Sequence, residues 1–263
     1  MIFLVTGANR GAYCPLSFFK HVVLLPTDNS KGLGRGFVEI LLLRSDTTVI
    51  ATTRSSSQFS HLSDLAKHPS SQLITVAIES ESKYDAIYAV EDLQQNYSIA
   101  KLDVVIACAG ATVSPAPAAE VAIQDIQNCF MVNTIAPLLL FQATKPLLER
   151  AASPKFVVIS SIAGSLGEVP SYTSPCAAYG TSKAATNFLV LRIGKENPGL
   201  LAMALHPGWI RTDMGNAAAT RAGKAEAPIT ISEAVEGVLQ EIDTATEESS
   251  GAFRTFDHQI LPW

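Results

Sequence analysis

What most constrains this chain is an alternation. Short, largely apolar runs (Ile2–Val5, Thr48–Ala51, Leu73–Ile78, Val104–Ala107, Phe156–Ile159, Leu201–Leu205) are separated by longer segments with helical periodicity. Runs of this length with no polar alternation suit strands buried on both faces, which is the condition of a parallel sheet. The helical segments Gly34–Arg44, Tyr84–Asn96, Ile123–Arg150 and Ala177–Asn197 then supply the crossovers. Strand and helix alternating in this way predict a doubly wound α/β sheet in three layers, α/β/α. Near the end, Thr230-Ile231-Ser232-Glu233 has capping-box spacing ahead of a helix over Ala234–Ile242, and Gly251–Phe256 reads as a closing edge strand.

Composition narrows the function classes. With 263 residues, 48% of them hydrophobic, the chain can build one large core, and no long Ser/Gly/Pro linker or repeat divides it, so residues 1–263 read as one domain. The net charge of −5 comes without a Lys/Arg cluster, which argues against nucleic acid or an anionic membrane surface as partner. No apolar run approaches the ~20 residues of a spanning helix. The start Met1–Val5 lacks a basic region and runs straight into Thr6-Gly7, so it reads as a strand and not a signal peptide. Four scattered cysteines and five dispersed histidines show no metal-site spacing, and a reduced, cytoplasmic setting is expected.

In a doubly wound sheet, ligands sit beyond the C-terminal ends of the strands. Thr6-Gly7, Arg54, Ala109-Gly110, Ser160-Ser161 and Pro207-Gly208 all fall at such ends. The first of these should open a glycine turn whose following helix holds a pyrophosphate on its N-terminus. Here the turn is split: Thr6-Gly7-Ala8-Asn9-Arg10 is followed by Gly11–Lys31 and only then by Gly32-Leu33-Gly34. Without Gly11–Lys31 the chain reads TGANRGLGRGFVEILL, an unbroken glycine turn and helix start. The segment, with Pro15, Pro26 and the apolar block Leu16–Leu25, resembles neither a helix nor a polar loop, and reads as a retained intron or a genuine insertion. Lengthening the connection from ~6 to ~27 residues costs only ~1.3 kcal/mol of closure entropy, so the fold tolerates it better than the phosphate cradle does.

Tyr179 and Lys183 lie four residues apart in a helical segment and so share a face. Free tyrosine titrates near ~10, and an adjacent ammonium lowers that value by stabilising the phenolate. The pair is a candidate acid/base unit, although the spacing alone also fits a half-buried tyrosine beside a solvated lysine.

Taken in order, Thr6-Gly7, the interrupted Gly32-Leu33-Gly34, Asn133, Ser161, Tyr179/Lys183 and Pro207-Gly208 make the chain resemble the short-chain dehydrogenase/reductase family, over its whole length apart from Gly11–Lys31. The ending Leu261-Pro262-Trp263 and the spacing around Tyr179 look most like small carbonyl reductases, including fungal ketoreductases of the norsolorinic-acid type. The resemblance implies a Rossmann-type sheet and hydride transfer between a nicotinamide cofactor and a carbonyl compound, an aromatic polyketide among the candidates. It implies Tyr179 as general acid, Lys183 as the group that holds the ribose and tunes Tyr179, Ser161 as a second donor to the carbonyl oxygen, and Asn133 as holder of a relay water. Gly7, Arg10, Gly32, Leu33, Gly34, Ala109, Gly110, Pro207, Gly208, Ile210 and Thr212 would line the cofactor, and homo-oligomers are the family's habit. Arg54 closes the second strand where an acidic residue would favour NAD, so NADP(H) is expected.

The chain departs from the family at Ala107-Cys108-Ala109-Gly110, where Asn is usual at the second position, and Cys108 reads as an inert buried thiol. Glu79 is the nearest acidic residue to the third strand's end, and Ala163–Ala178 and Met214–Pro228 read as lid segments. Two other outcomes stay open at this point: a folded but catalytically impaired form, because of the split turn, and a dinucleotide sensor without turnover. His206 and His258 receive no role.

Overall fold

The computed structural model describes residues 2–6, 21–24, 32–171 and 174–263. Its strands are β1 (Ile2–Thr6), β2 (His21–Leu24), β3 (Thr48–Thr53), β4 (Gln72–Ala77), β5 (Val104–Ala107), β6 (Lys155–Ile159), β7 (Leu201–His206) and β8 (Phe253–Thr255). The helices are α1 (Leu33–Leu42), α2 (Ser60–Ser63), α3 (Asp85–Asn96), α4 (Ile123–Phe130), α5 (Ala136–Leu148), α6 (Ala177–Glu196), α7 (Asp213–Arg221) and α8 (Ile231–Thr244). All named strand pairs are parallel: β4 lies beside β3, and β5, β6, β7 and β8 follow one another on the other side. This is the expected doubly wound α/β fold of Rossmann type, and Phe253–Thr255 is its closing edge strand.

The position between β3 and β5 is claimed twice. Phe3, Leu4 and Val5 are in register with Val104, Val105 and Ile106, and so are Val22, Val23 and Leu24. On the other side, Ile2 and His21 both register with Thr48. One edge of β5 offers one row of backbone donors and acceptors, so β1 and β2 are alternatives for a single central slot. The insertion thus carries its own strand sequence, which the sequence reading did not assign.

Side-chain alternation along the strands builds a core on each face of the sheet. Phe156, Val158, Ala202 and Ala204 pack with Leu140, Val190 and Ile193 under α5 and α6. Val157, Leu201, Met203 and Leu205 pack with Phe37, Leu41, Val235 and Val238 under α1 and α8. Phe37, Phe156 and Phe253 are fully buried, each contributing about 1.5–3 kcal/mol by removal from water. α8 starts on the expected capping box: the Thr230 hydroxyl accepts from Glu233 N at 3.2 Å, and the Glu233 carboxylate accepts from Thr230 N at 2.8 Å. Arg44, just past α1, makes a two-pronged bond to Asp243 of α8 at 3.2 and 2.9 Å.

The helix expected over Ile123–Arg150 is interrupted by a π turn at Met131–Ile135, with Asn133 at its centre. By length and composition, Ile123–Leu148 is apolar enough to cross a membrane. In this fold its apolar residues Leu140, Leu147 and Leu148 are instead buried in the core.

Candidate active site

A cavity of about 580 Å³ opens at the C-terminal ends of the strands. Of the site residues expected from sequence, Gly32, Leu33 and Gly110 form one side. Ser161, Tyr179 and Lys183 form the floor, and Pro207, Gly208, Ile210 and Thr212 close it from β7. Ala109 is buried beneath Gly110, and Gly34 lies within α1, neither reaching the lining. Arg54 is exposed at the end of β3, outside the lining. Gly7 and Arg10 lie outside the described residues, as does most of Gly11–Lys31.

The floor is built by α6. Lys183 is 3% exposed, and its Nζ donates to the main-chain oxygen of Ile159 at 2.8 Å, which ties the helix to the end of β6. The same amine lies 5.8 Å from the centre of the Tyr179 ring, so the two side chains share a face as the spacing requires. Burial pulls the Lys183 ammonium down to about 8, against the opposing influence of Cys108 and Cys129. Cys108 is buried beside it and pushed up to about 12 by the same desolvation, so it is a neutral thiol, as expected for an inert cysteine.

Ser160 and Ser161 divide their work. The Ser160 hydroxyl bonds Asn187 Oδ1 at 2.5 Å, and Asn187 in turn donates to Gly164 O at 3.2 Å. Ser161 caps the short turn Ile162–Gly164, accepting from Ala163 N at 3.2 Å, and lines the cavity. Asn133 sits one layer behind. Its Oδ1 accepts from Ala111 N at 2.8 Å, and its Nδ2 donates to Ala111 O and Ser182 Oγ, both at 2.9 Å. Its carbonyl accepts from Thr186 Oγ1 at 2.7 Å. The amide is therefore spent on seating the end of β5 against α6, and the π turn is what aims it there.

The wall after β7 depends on Gly208. It has φ +82°, and a Cβ there would stand 2.4 Å from Ile229 Cδ1 and 2.8 Å from Phe256 Cε1. Thr212 caps α7 by accepting from Gly215 N at 3.1 Å, and α7 forms the roof. Trp209, which also lines the cavity, spends its indole N–H on Gly215 O at 2.9 Å and has the Lys224 amine 5.3 Å from its ring centre.

A family model described as "short chain dehydrogenase" matches residues 22–223. The chain belongs to the short-chain dehydrogenase family. The matched region begins inside β2 and leaves out β1. Among proteins of known name, this short-chain dehydrogenase is 39% identical over 250 residues to the norsolorinic acid ketoreductase nor1 of Dothistroma septosporum, with 93% of each chain covered. It is 40% identical over 248 residues to the norsolorinic acid ketoreductase stcE of Emericella nidulans, covering 93% of this chain and 94% of that one. The NADPH-bound carbonyl reductase from chicken fatty liver superposes with a TM-score of 0.80 at 30% identity, covering 100% of this chain and 98% of that one.

This short-chain dehydrogenase is thus an oxidoreductase of the ketoreductase type, and its cavity fits the family's nicotinamide dinucleotide. α1 begins at Leu33 behind Gly32 as N-cap, with no side-chain cap among the described residues and no acidic residue in its first turn, so its dipole favours a pyrophosphate at that end. A Cβ on Gly110 would stand 3.6 Å from Asn133 Oδ1 and 3.8 Å from Lys183 Nζ, so the glycine backbone lies close to the lysine amine at the cavity wall. The described lining contains no aspartate or glutamate to repel a phosphate. Sequence reasoning missed His206 and gave Trp209 no role of its own, though both line the cavity. Their only signal was adjacency to Pro207-Gly208.

Proposed function

We propose that this protein reduces a ketone or aldehyde with NADPH, an aromatic polyketide ketone being the substrate class that its relatives' names favour. The observation that carries the reading is the convergence of Ser161, Tyr179 and Lys183 on one cavity floor, with the Lys183 amine anchored at Ile159 O. The bound dinucleotide supplies the hydride. Within the chain, the Ser161 and Tyr179 hydroxyls donate to the carbonyl oxygen, and the Tyr179 proton goes to that oxygen as charge develops on it. The Lys183 ammonium stabilises the phenolate that is left. Asn133 acts on this pair through α6, and a relay water reaching Lys183 belongs to the same proposal.

Gly32 and Leu33 would hold the pyrophosphate, Gly110 and Lys183 the ribose, and Ile210 and Thr212 the carboxamide. Arg54 and Arg10 would meet a 2′-phosphate, which is the basis for preferring NADPH to NADH. The likeness to an NADPH-bound carbonyl reductase supports that preference. Exposed Phe188 on α6 and Ile135 in the π turn support a homo-oligomer through these helices, and a cytoplasmic setting completes the reading.

The test is turnover of a quinone and an aryl ketone with NADPH and with NADH. Tyr179→Phe should abolish reduction while NADPH fluorescence still reports binding, and Arg54→Asp should weaken NADPH far more than NADH. A wild-type protein that binds NADPH and reduces neither compound would make it a sensor and not a reductase.

A further inference from the structure

His206 is the last residue of β7, and its side chain lines the cavity. Strand alternation sets it on the face of Ala202 and Ala204, which is the α6 side, and away from the α1 side where Leu201, Met203 and Leu205 lie. The β6–β7 register pairs Ile159 with Leu205, so His206 stands level with Ser160, one residue before the Ser161 donor. Its Nδ1 is cut off from solvent and has no hydrogen-bond partner among the described residues.

Burial lowers the His206 pKa to about 4, with Asp257 opposing, so the ring is neutral and carries one N–H. On Nδ1 that hydrogen would be a buried donor without an acceptor. On Nε2 it leaves only a lone pair buried, and orphaned acceptors are better tolerated than orphaned donors. Nε2 is not among the buried atoms that lack a partner, and the residue lines the cavity, so the tautomer that costs less carries its N–H on Nε2. The Trp209 ring, its own N–H already spent on Gly215 O and the Lys224 amine 5.3 Å from its centre, lines the same cavity and supplies aromatic surface for a flat ligand.

We propose that His206 is a specificity-determining residue whose Nε2–H donates to a second oxygen of the substrate, so that the site selects flat aromatic ketones carrying a hydroxyl or second carbonyl over unsubstituted ones. The proposal rests on the ketoreductase reading and deepens it. A ligand that shuts this largely apolar wall off from solvent must offer the N–H an acceptor or leave it unpaired, which is what favours the ligand with a second oxygen.

The experiment measures equilibrium binding of two ligands, 2-acetylnaphthalene and its 6-hydroxy derivative, to the full-length protein saturated with NADP⁺. The wild type should bind the hydroxylated ligand about tenfold more tightly, the value of one neutral hydrogen bond. In His206→Phe, which keeps a ring and removes both nitrogens, that preference should vanish while NADPH affinity stays within about twofold. Because this substitution also removes the orphaned Nδ1, folding should not suffer, and His206→Leu serves if it does. No preference in the wild type, a preference that survives both substitutions, or equal weakening of both ligands overturns the proposal. So does a loss confined to NADPH affinity, which would place His206 on the cofactor. If the preference is lost as expected but the wild type turns over no ketone, the ketoreductase reading falls and the donor role of His206 stands.

Discussion

Gly164 is pressed against Lys183: a Cβ on Gly164 would stand 2.6 Å from both the carbonyl carbon and the Cβ of Lys183, and 2.8 Å from Ala184 N. The same turn meets α6 a second time, where a Cβ on Gly180 would lie 2.8 Å from Ala163 O. The turn that carries Ser161 is therefore seated directly on the backbone of the helix that carries Tyr179 and Lys183. Gly164→Ala forces backbone from backbone, which costs about 1–3 kcal/mol and shifts Ser161 relative to Tyr179. The expected result is a lower urea midpoint and a kcat that falls by more than KM rises. Gly199→Ala is the comparison: at φ +85° with nothing within 4 Å of its Cβ, it should cost stability alone.

The Lys183 ammonium has a pH window. Burial lowers it to about 8, so it is charged below that value and neutral above it. Reduction that needs the charge should lose kcat/KM as pH rises through about 8, well before an ordinary lysine near ~10.4 would titrate. Lys183→Met should lower kcat/KM on the order of 10²–10⁴ and remove that limb of the pH profile. A wild-type profile flat to pH 10 would show that the charge is not used.

Elements whose causes are local were readable from sequence. Val104–Ala107 has the bounds the apolar run predicts, because a strand buried on both faces has no polar residue to confuse its ends. The Thr230/Glu233 cap is likewise written in four consecutive residues. Features with tertiary causes were not. Helical periodicity over Ile123–Arg150 says nothing of an extra residue in one turn, since the π turn goes with a contact from Asn133 to Ala111, 22 residues upstream. α7 hides in the Ala/Gly-rich run 213–221, where only Ala219 is buried. His206 has no motif of its own, because its isolation arises only when β7, the cavity and the C-terminal turn meet.

β2 was invisible for a related reason, and it leads to a test. His21–Leu24 is a short stretch within an apolar block, and only its register on β5 makes it a rival of β1. In sequence only β1 leads straight into Thr6-Gly7, the first half of the split glycine turn that Gly32 and Gly34 complete. Removing Gly11–Lys31 eliminates the rival and joins the two halves of the turn. The shortened protein should bind NADPH at least about tenfold more tightly in a fluorescence titration and should melt at a higher temperature. Equal affinity in both forms would show that the insertion leaves the cradle intact.

Lys155 tests the opposite end of the sheet, where no chemistry is involved. It is 4% exposed, and its Nζ donates to Ile242 O at 2.6 Å and Ala245 O at 3.0 Å, satisfying carbonyls at the C-terminal end of α8. Lys155→Met leaves both oxygens without that donor and should cost about 1–3 kcal/mol in urea unfolding near pH 7. Burial lowers Lys155 to about 8, with Asp243 opposing. Between about 8 and the unfolded value near ~10.4 the unfolded chain binds more protons, so this group's contribution to stability rises with pH across that window. Cys108, raised to about 12, works the other way above about 9, and is common to both proteins. The difference between wild type and Lys155→Met cancels it, so that difference should widen from pH 8 to 10. A difference that shrinks over the same range would mean the ammonium, and not the neutral amine, is the form the buried site favours.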